Sequence, residues 1–84
     1  MSNTVEWNSF AQVVCEHLGL KPGEFTEETH IYNDIGIDSL GIMTLGMKMQ
    51  KAFHIKVPLS VVAGINTLGD MLAIMNKYAE YTPN

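Results

Sequence analysis

Near the middle of the 84-residue chain stands Asp34-Ile35-Gly36-Ile37-Asp38-Ser39-Leu40, which joins a long aperiodic segment to an apolar helix. Asp38 and Ser39 are both residue types that cap helices, so a helix is predicted to begin at Ser39 or Leu40. Gly36 permits the sharp turn that must precede it. A serine hydroxyl here lies at the surface, where the dipole and free N–H groups of the helix favour an anion such as a phosphodiester.

The helix that follows is predicted to extend to Phe53 and has two apolar stripes. One stripe has helical spacing, and the other is turned well away from it. We expect the first to face the core, and the second either to pack as well or to bind a partner. The first comprises Ile42, Leu45, Met49 and Phe53, and the second Leu40, Met43 and Met47.

The flanking segments predict an all-α, four-helix bundle with three longer helices, a short third helix and a long loop between helices 1 and 2. Helix 1 spans 4–18, with Thr4 as its N-cap (Ser2 and Asn3 are alternatives) and Gly19 as its end. In the loop, 19–38, the anchors to the core are predicted to be Phe25, Ile31, Ile35 and Ile37. The segment 59–65 fits a third helix or a strand. Thr67 and Asp70 open the last helix, which frays near Thr82-Pro83.

Composition limits the class of protein. Hydrophobic residues make up 46% of the chain and the net charge is −4, so a folded single domain, 1–84, is expected, and a nucleic-acid partner is not. Cys15 is the only cysteine, which excludes a disulfide framework. Residues 1–4 show no signal peptide, and no apolar run could span a membrane. We therefore expect a cytoplasmic monomer without membrane contact; Met1 and the short tails suggest a free-standing protein, with an excised domain as the alternative.

The central stretch resembles the attachment motif of the acyl carrier protein family, D-x-G-x-D-S-L, and the likeness in layout covers the whole chain. The start of the last helix, 67–72, is also similar. The resemblance implies that a phosphopantetheinyl transferase moves 4'-phosphopantetheine from coenzyme A to Ser39, with Asp38 and Leu40 as motif neighbours. The thiol of the arm would then hold acyl groups as thioesters for an acyltransferase, a ketosynthase or other acyl-processing enzymes, and the chain itself would not be an enzyme.

The sequence departs from the family in its second helix, which is commonly acidic in carriers of dissociated fatty acid synthesis. Between Leu40 and Gly69 there is no Asp or Glu. Electrostatic attraction to basic partners should therefore be weak from this helix. We expect polyketide or other specialised acyl assembly rather than housekeeping fatty acid synthesis. The predicted partner face consists of Leu40, Met43, Met47, Lys48 and Lys51.

Several other interpretations compete with this one. A peptidyl or aryl carrier of nonribosomal synthesis more often has Gly-Gly before His/Asp-Ser, and a fatty acid synthesis carrier or an unmodified helical interaction module would share the shape. Ser39 could also be a plain N-cap. A serine hydrolase would need a neighbouring base that the sequence does not show. A calcium loop would need Gly at Ser39 and Glu at Leu45, and the three histidines lack zinc-site spacing, so no metal is expected.

Overall fold

The computed structural model describes residues 4–80 and contains four α-helices in that range. These are α1 (Trp7–Leu18), α2 (Ser39–Phe53), α3 (Leu59–Ala63) and α4 (Leu68–Ala79). A 3-10 turn (Pro22–Glu24) and a π-helical turn (Ile31–Ile35) lie between α1 and α2. The described residues form no strand, only an isolated bridge between His30 and Thr67. The predicted all-α bundle with its short third helix and long first loop is confirmed.

One hydrophobic core contains the inner stripe of α2 together with apolar residues of the other helices and of the loops. Burial of apolar surface is the main favourable term in a fold of this size. Nothing polar or charged is buried within the described range, so the core requires no internal charge pairing. Its largest fully buried side chains are Phe10, Val14, Ile31, Ile42, Leu45, Met49, Ile55, Leu68 and Met71.

The start of α1 differs from the prediction. Val5 is buried, its N–H donates to Asn76 Oδ1 (2.6 Å), and its carbonyl accepts from Asn76 Nδ2 (3.2 Å). These bonds hold the backbone before Trp7 against α4, and Glu6 takes the N-cap position without a side-chain cap. The prediction that Thr4 is the N-cap is therefore wrong. Its alternatives, Ser2 and Asn3, and the predicted fraying near 82–83 lie outside the described residues.

The first loop is anchored to the core as predicted. Phe25 and Ile31 are buried, and Ile35 and Ile37 pack partly against the same cluster. Phe25 also lies edge-on to Trp7, with ring centroids 5.9 Å apart. These contacts explain how a long connection with little regular structure keeps one conformation.

Backbone hydrogen bonds tie the same loop to the N-terminus of α4. The N–H of Ile31 donates to the carbonyl of Asn66 (2.7 Å), and the N–H of Gly69 donates to the carbonyl of Glu27 (2.8 Å). A Cβ on Gly69 would lie 2.8 Å from that carbonyl oxygen, so the approach requires glycine. Thr67 and Asp70 cap α4 reciprocally, as predicted.

The short third helix is confirmed, and the strand alternative is wrong. α3 ends at Ala63 rather than Ile65, because Gly64 and the buried Ile65 form the turn toward α4. α3 packs closely on α2 where Gly46 faces Val62. A Cβ on Gly46 would lie 2.7 Å from Val62 Cγ1. The glycine therefore has a packing role inside a helix that it would otherwise weaken.

Gly46→Ala is expected to destabilise the protein by about 1 kcal/mol, although alanine favours helix by a similar amount, because Val62 is buried and stiff about χ1. The free energy of unfolding in urea measures the change. In a Val62→Ala background the same substitution should cost less. Gly23→Ala, at a position with open space, serves as the control. Stabilisation by Gly46→Ala in the native background would contradict this packing role.

Candidate functional site

The turn before α2 is closed by its own side chains. His30 Nδ1 accepts from the N–H of Asn33 (3.1 Å), and Asp34 Oδ2 accepts from the N–H of His30 (2.7 Å). Gly36 ends this turn with φ 84°, and its N–H donates to the carbonyl of Ile31 (3.1 Å). The predicted need for glycine at this position is confirmed. Asp34 therefore shapes the approach to the helix.

Asp38 supplies the cap of α2. Its Oδ1 accepts from the N–H of Gly41 (2.8 Å), and its carbonyl accepts from the N–H of Ile42 (2.9 Å). Ser39 is the first residue of the helix and is exposed. The interpretation of Ser39 as a plain N-cap is therefore wrong. Because Asp38 caps the helix, the hydroxyl of Ser39 takes no part in capping and is exposed to solvent.

The first turn of α2 is held by close packing as well as by the cap. A Cβ on Gly41 would lie 3.0 Å from Ile37 Cβ, so the glycine lets Ile37 lie against this turn. Ile37 in turn packs on the core. The backbone on both sides of Ser39 is thus fixed, although its side chain faces solvent.

This arrangement fits a phosphodiester on Ser39. The N–H groups at the start of a helix have no acceptor within the helix, and the dipole there attracts negative charge. The Asp38 carboxylate is engaged with a backbone N–H rather than aimed at the hydroxyl. Within residues 4–80, no side-chain hydrogen bond joins Ser39 to a histidine or carboxylate base. Among the described residues, Ser39 therefore has no general base positioned beside its hydroxyl.

The two stripes of α2 have different surroundings. Ile42, Leu45 and Met49 are fully buried, whereas Leu40 is 75% and Met47 is 61% exposed. Core packing, the alternative for the outer stripe, is therefore wrong for these two residues. It holds in part for Met43, which is half-buried against the core.

The basic residues of the predicted partner face lie on the exposed side of the same helix. Lys48 and Lys51 are both exposed. They border a groove that also includes His17 of α1 and His54, which ends α2 with φ 55°. That these two histidines line the same groove was not predictable from the sequence, because their approach depends on the packing of α1 beside α2.

The structure also bears on metals and membranes. In the part of the chain from 4 to 80, no three His, Cys, Asp or Glu side chains are grouped so that they could hold a metal ion. None of the helices in that range has the length and hydrophobicity needed to cross a bilayer.

The structure thus places an exposed serine beside a capped helix N-terminus in a small four-helix bundle. The family model for the phosphopantetheine attachment site matches residues 8–75. The chain belongs to this family, that of the acyl carrier proteins, whose members hold a covalent 4'-phosphopantetheine and are acted on by enzymes rather than being enzymes.

Curated relatives support this membership. The chain is 32% identical over 73 residues to the meromycolate extension acyl carrier protein of Mycobacterium tuberculosis, covering 87% of this chain and 64% of that protein. The protein of the same name from Mycolicibacterium smegmatis is also 32% identical over 73 residues, covering 87% of this chain and 74% of the relative. The chain thus spans a little under two thirds of the longer relatives.

Solved structures share the fold. The 3,7-dioxo-octyl actinorhodin acyl carrier protein from Streptomyces coelicolor has a TM-score of 0.77 at 18% identity, over 96% of this chain and 98% of that one. The actinorhodin holo acyl carrier protein from the same organism has a TM-score of 0.75 at 19% identity, over 99% and 100% of the two chains. At these identities the likeness concerns the fold alone.

The division of roles between Asp38 and Ser39 makes a quantitative prediction for the unmodified protein. Asp38→Ala should lower the free energy of unfolding by about 1 kcal/mol because the cap is lost. Ser39→Ala should change it by less than about 0.5 kcal/mol, as an exposed substitution without a capping role does. Urea unfolding of both variants, with Asp38→Asn as the cap-retaining control, measures the difference. Equal losses for the two alanine variants would contradict the assignment.

Proposed function

We propose that Ser39 is the attachment site of the 4'-phosphopantetheine arm and that residues 1–84 act as a single acyl-carrier domain. The observation that supports this most strongly is the position of Ser39, exposed at the first residue of a helix that Asp38 already caps. A phosphoryl group bound to Ser39 Oγ would lie at the positive end of α2. The motif neighbour Leu40 is exposed beside it and would meet the incoming transferase.

In this proposal the chain positions the Ser39 hydroxyl and keeps it accessible, and the partner enzymes catalyse the reactions. The visiting transferase takes up the hydroxyl proton as Ser39 Oγ bonds to the phosphorus of coenzyme A that carries the pantetheine; the pyrophosphate bond of coenzyme A breaks, and adenosine 3',5'-bisphosphate leaves. When bound, the arm supplies a thiol that holds acyl groups as thioesters. The rigid turn before α2 keeps the attachment point in one place relative to the rest of the bundle.

Intact mass spectrometry tests the attachment site. Incubation with coenzyme A and a promiscuous phosphopantetheinyl transferase should add one phosphopantetheine to the native chain and none to Ser39→Ala. Ser9→Ala, which removes an exposed serine on α1, is the matched control and should be modified normally. No gain with several transferases would favour the unmodified interaction module. A gain that persists in Ser39→Ala would place the arm on another residue.

We further propose that acyl-processing partners dock on the exposed stripe of α2. Leu40 and Met47 expose large apolar surfaces, and Met43 borders them. Methionine side chains adapt their shape to different partners. Lys48 and Lys51 extend this face and give it positive charge. A transferase, an acyltransferase and a ketosynthase could each use the stripe in turn, since the arm begins at its end. A monomeric, cytoplasmic carrier remains the expectation.

For the pathway, we propose specialised acyl assembly, such as polyketide synthesis, rather than housekeeping fatty acid synthesis. The absence of Asp and Glu between Leu40 and Gly69 supports this, because partners that select an acidic second helix would find none here. The mycobacterial relatives are named for meromycolate extension, and we take this as further support for the proposal. Loading assays with amino-acid and aryl adenylating enzymes distinguish the nonribosomal alternative.

Turnover with housekeeping enzymes tests the pathway proposal. The modified protein should be a poor substrate for the malonyl transferase and ketosynthase of fatty acid synthesis, mainly through a raised KM, since opposite charges that guide docking are missing. A carrier with an acidic second helix is the control. Efficiency equal to that of the control would refute the exclusion of housekeeping synthesis.

A further inference from the structure

A groove of about 780 Å³ lies along the C-terminal half of α2, toward the end of the helix away from Ser39. Its α2 side includes Met47, Lys48 and Lys51. Its other side comprises His17 of α1 and the segment 54–56 that follows α2. We call this feature the basic groove.

The segment 54–56 is held in place by Gln50. Gln50 Oε1 accepts from the N–H of Val57 (2.9 Å), and the carbonyl of Gln50 accepts from the N–H of Ile55 (3.1 Å). Ile55 and Val57 are also buried. Because hydrogen bonds and burial both fix this segment, the groove is a preformed part of the surface.

The charge of the groove is opposite to that of the whole chain. Lys48, Lys51 and Lys56 all line it, which is three of the five lysines. None of its lining residues in the described part of the chain is Asp or Glu, although the sequence has nine acidic residues. Met47, which is largely exposed, adds apolar surface beside the charged groups. Such a surface complements an acidic, partly apolar occupant.

We propose that the basic groove receives an acidic surface segment of a partner acyl-processing enzyme. Carboxylates of that segment pair with Lys48 and Lys51, and an apolar side chain packs on Met47. The identity of the partner as an acyl-processing enzyme rests on the proposed carrier function, whereas the charge and shape of the groove do not depend on Ser39.

The charge distribution favours a protein over a nucleic acid. Nucleic-acid affinity comes mainly from many phosphate contacts along a basic surface. Here three of the five lysines lie in one groove, and the chain as a whole has a net charge of −4. A short acidic segment needs only two or three carboxylates to match the groove and avoids the repulsion that a long polyanion would meet.

The geometry also predicts where the partner must be acidic. Leu40, Met47 and Lys51 lie on one stripe of α2, because their spacing returns to nearly the same side of a helix. Lys51 follows Ser39 by twelve residues, which is about 18 Å along the helix axis. A partner that binds along Leu40, Met47 and Lys51 should therefore have its acidic patch about 18 Å from the opening of its own active site, where the arm on Ser39 enters. Apolar contacts at one end and charge pairs at the other would orient the two proteins.

A titration of the full chain tests this proposal. The ¹⁵N-labelled protein is titrated with two amphipathic helical peptides that differ only in having Glu or Lys beside the same apolar stripe. Only the Glu peptide should produce saturable NMR shift changes, at residues 47–51 and 54–56. Lys48→Glu/Lys51→Glu should weaken its binding at least about fivefold. Lys21→Glu/Lys77→Glu, with the same net charge and exposed sites outside the groove, should not.

Several results would overturn the proposal. These are equal or tighter binding of the Lys peptide, equal effects of the two double variants, and no saturable shift with either peptide. Displacement of the Glu peptide from the groove by a single-stranded oligonucleotide would instead assign the groove to nucleic acid. Circular dichroism confirms that each variant is folded. Modification of Ser39 is read separately from intact mass, so a failed groove and a failed attachment site give different results.

Discussion

The contact between the first loop and the N-terminus of α4 is the constraint on which the rest of the structure depends. The Gly69 nitrogen and the Glu27 carbonyl oxygen are 2.8 Å apart, and a Cβ on Gly69 would lie only 2.8 Å from that oxygen. Together with the hydrogen bond between Ile31 and Asn66, this contact fixes the long loop between α1 and α2 against the start of α4. Burial of Phe25 and Ile31, together with these hydrogen bonds, then offsets the conformational entropy lost in ordering the segment.

Between this contact and Ser39, a short series of local interactions positions the start of α2. The π-helical turn is closed by His30 and Asp34, Gly36 reverses the backbone, and Asp38 caps α2. Each of these interactions provides a hydrogen-bond partner for backbone groups that would otherwise lack one at a helix end. As a result Ser39 needs no side-chain role in stability and can be modified without loss of the cap. Because Asp38 caps the helix, the attachment of an arm to Ser39 that we propose would leave the cap intact.

Local signals in the sequence predicted much of this arrangement. Gly19, Gly36 and the pair Thr67–Asp70 act through neighbours within a few residues, so their roles follow from residue type and spacing. The choice between Asp38 and Ser39 as the cap could not be made from type alone, since both residues cap helices well.

Features that depend on distant residues were not predictable in this way. Val5 is hydrogen-bonded to Asn76, 71 positions away, and because of this contact α1 begins at Trp7 and not near Thr4 as predicted. Gly46 lowers the helix propensity of α2, but its close approach to Val62 shows that it is needed for packing against α3. The groove beside His17 likewise exists only because two helices and a loop meet.

The most direct test of the account is tandem mass spectrometry of the protein isolated from its own cells. Fragments of the peptide containing Asp38, Ser39 and Leu40 should carry one phosphopantetheine, localised to the serine, with or without an acyl group on its thiol. A phosphopantetheine on a different residue, or a chain that is unmodified in cells with an active transferase, would contradict the central claim that Ser39 is the point of attachment.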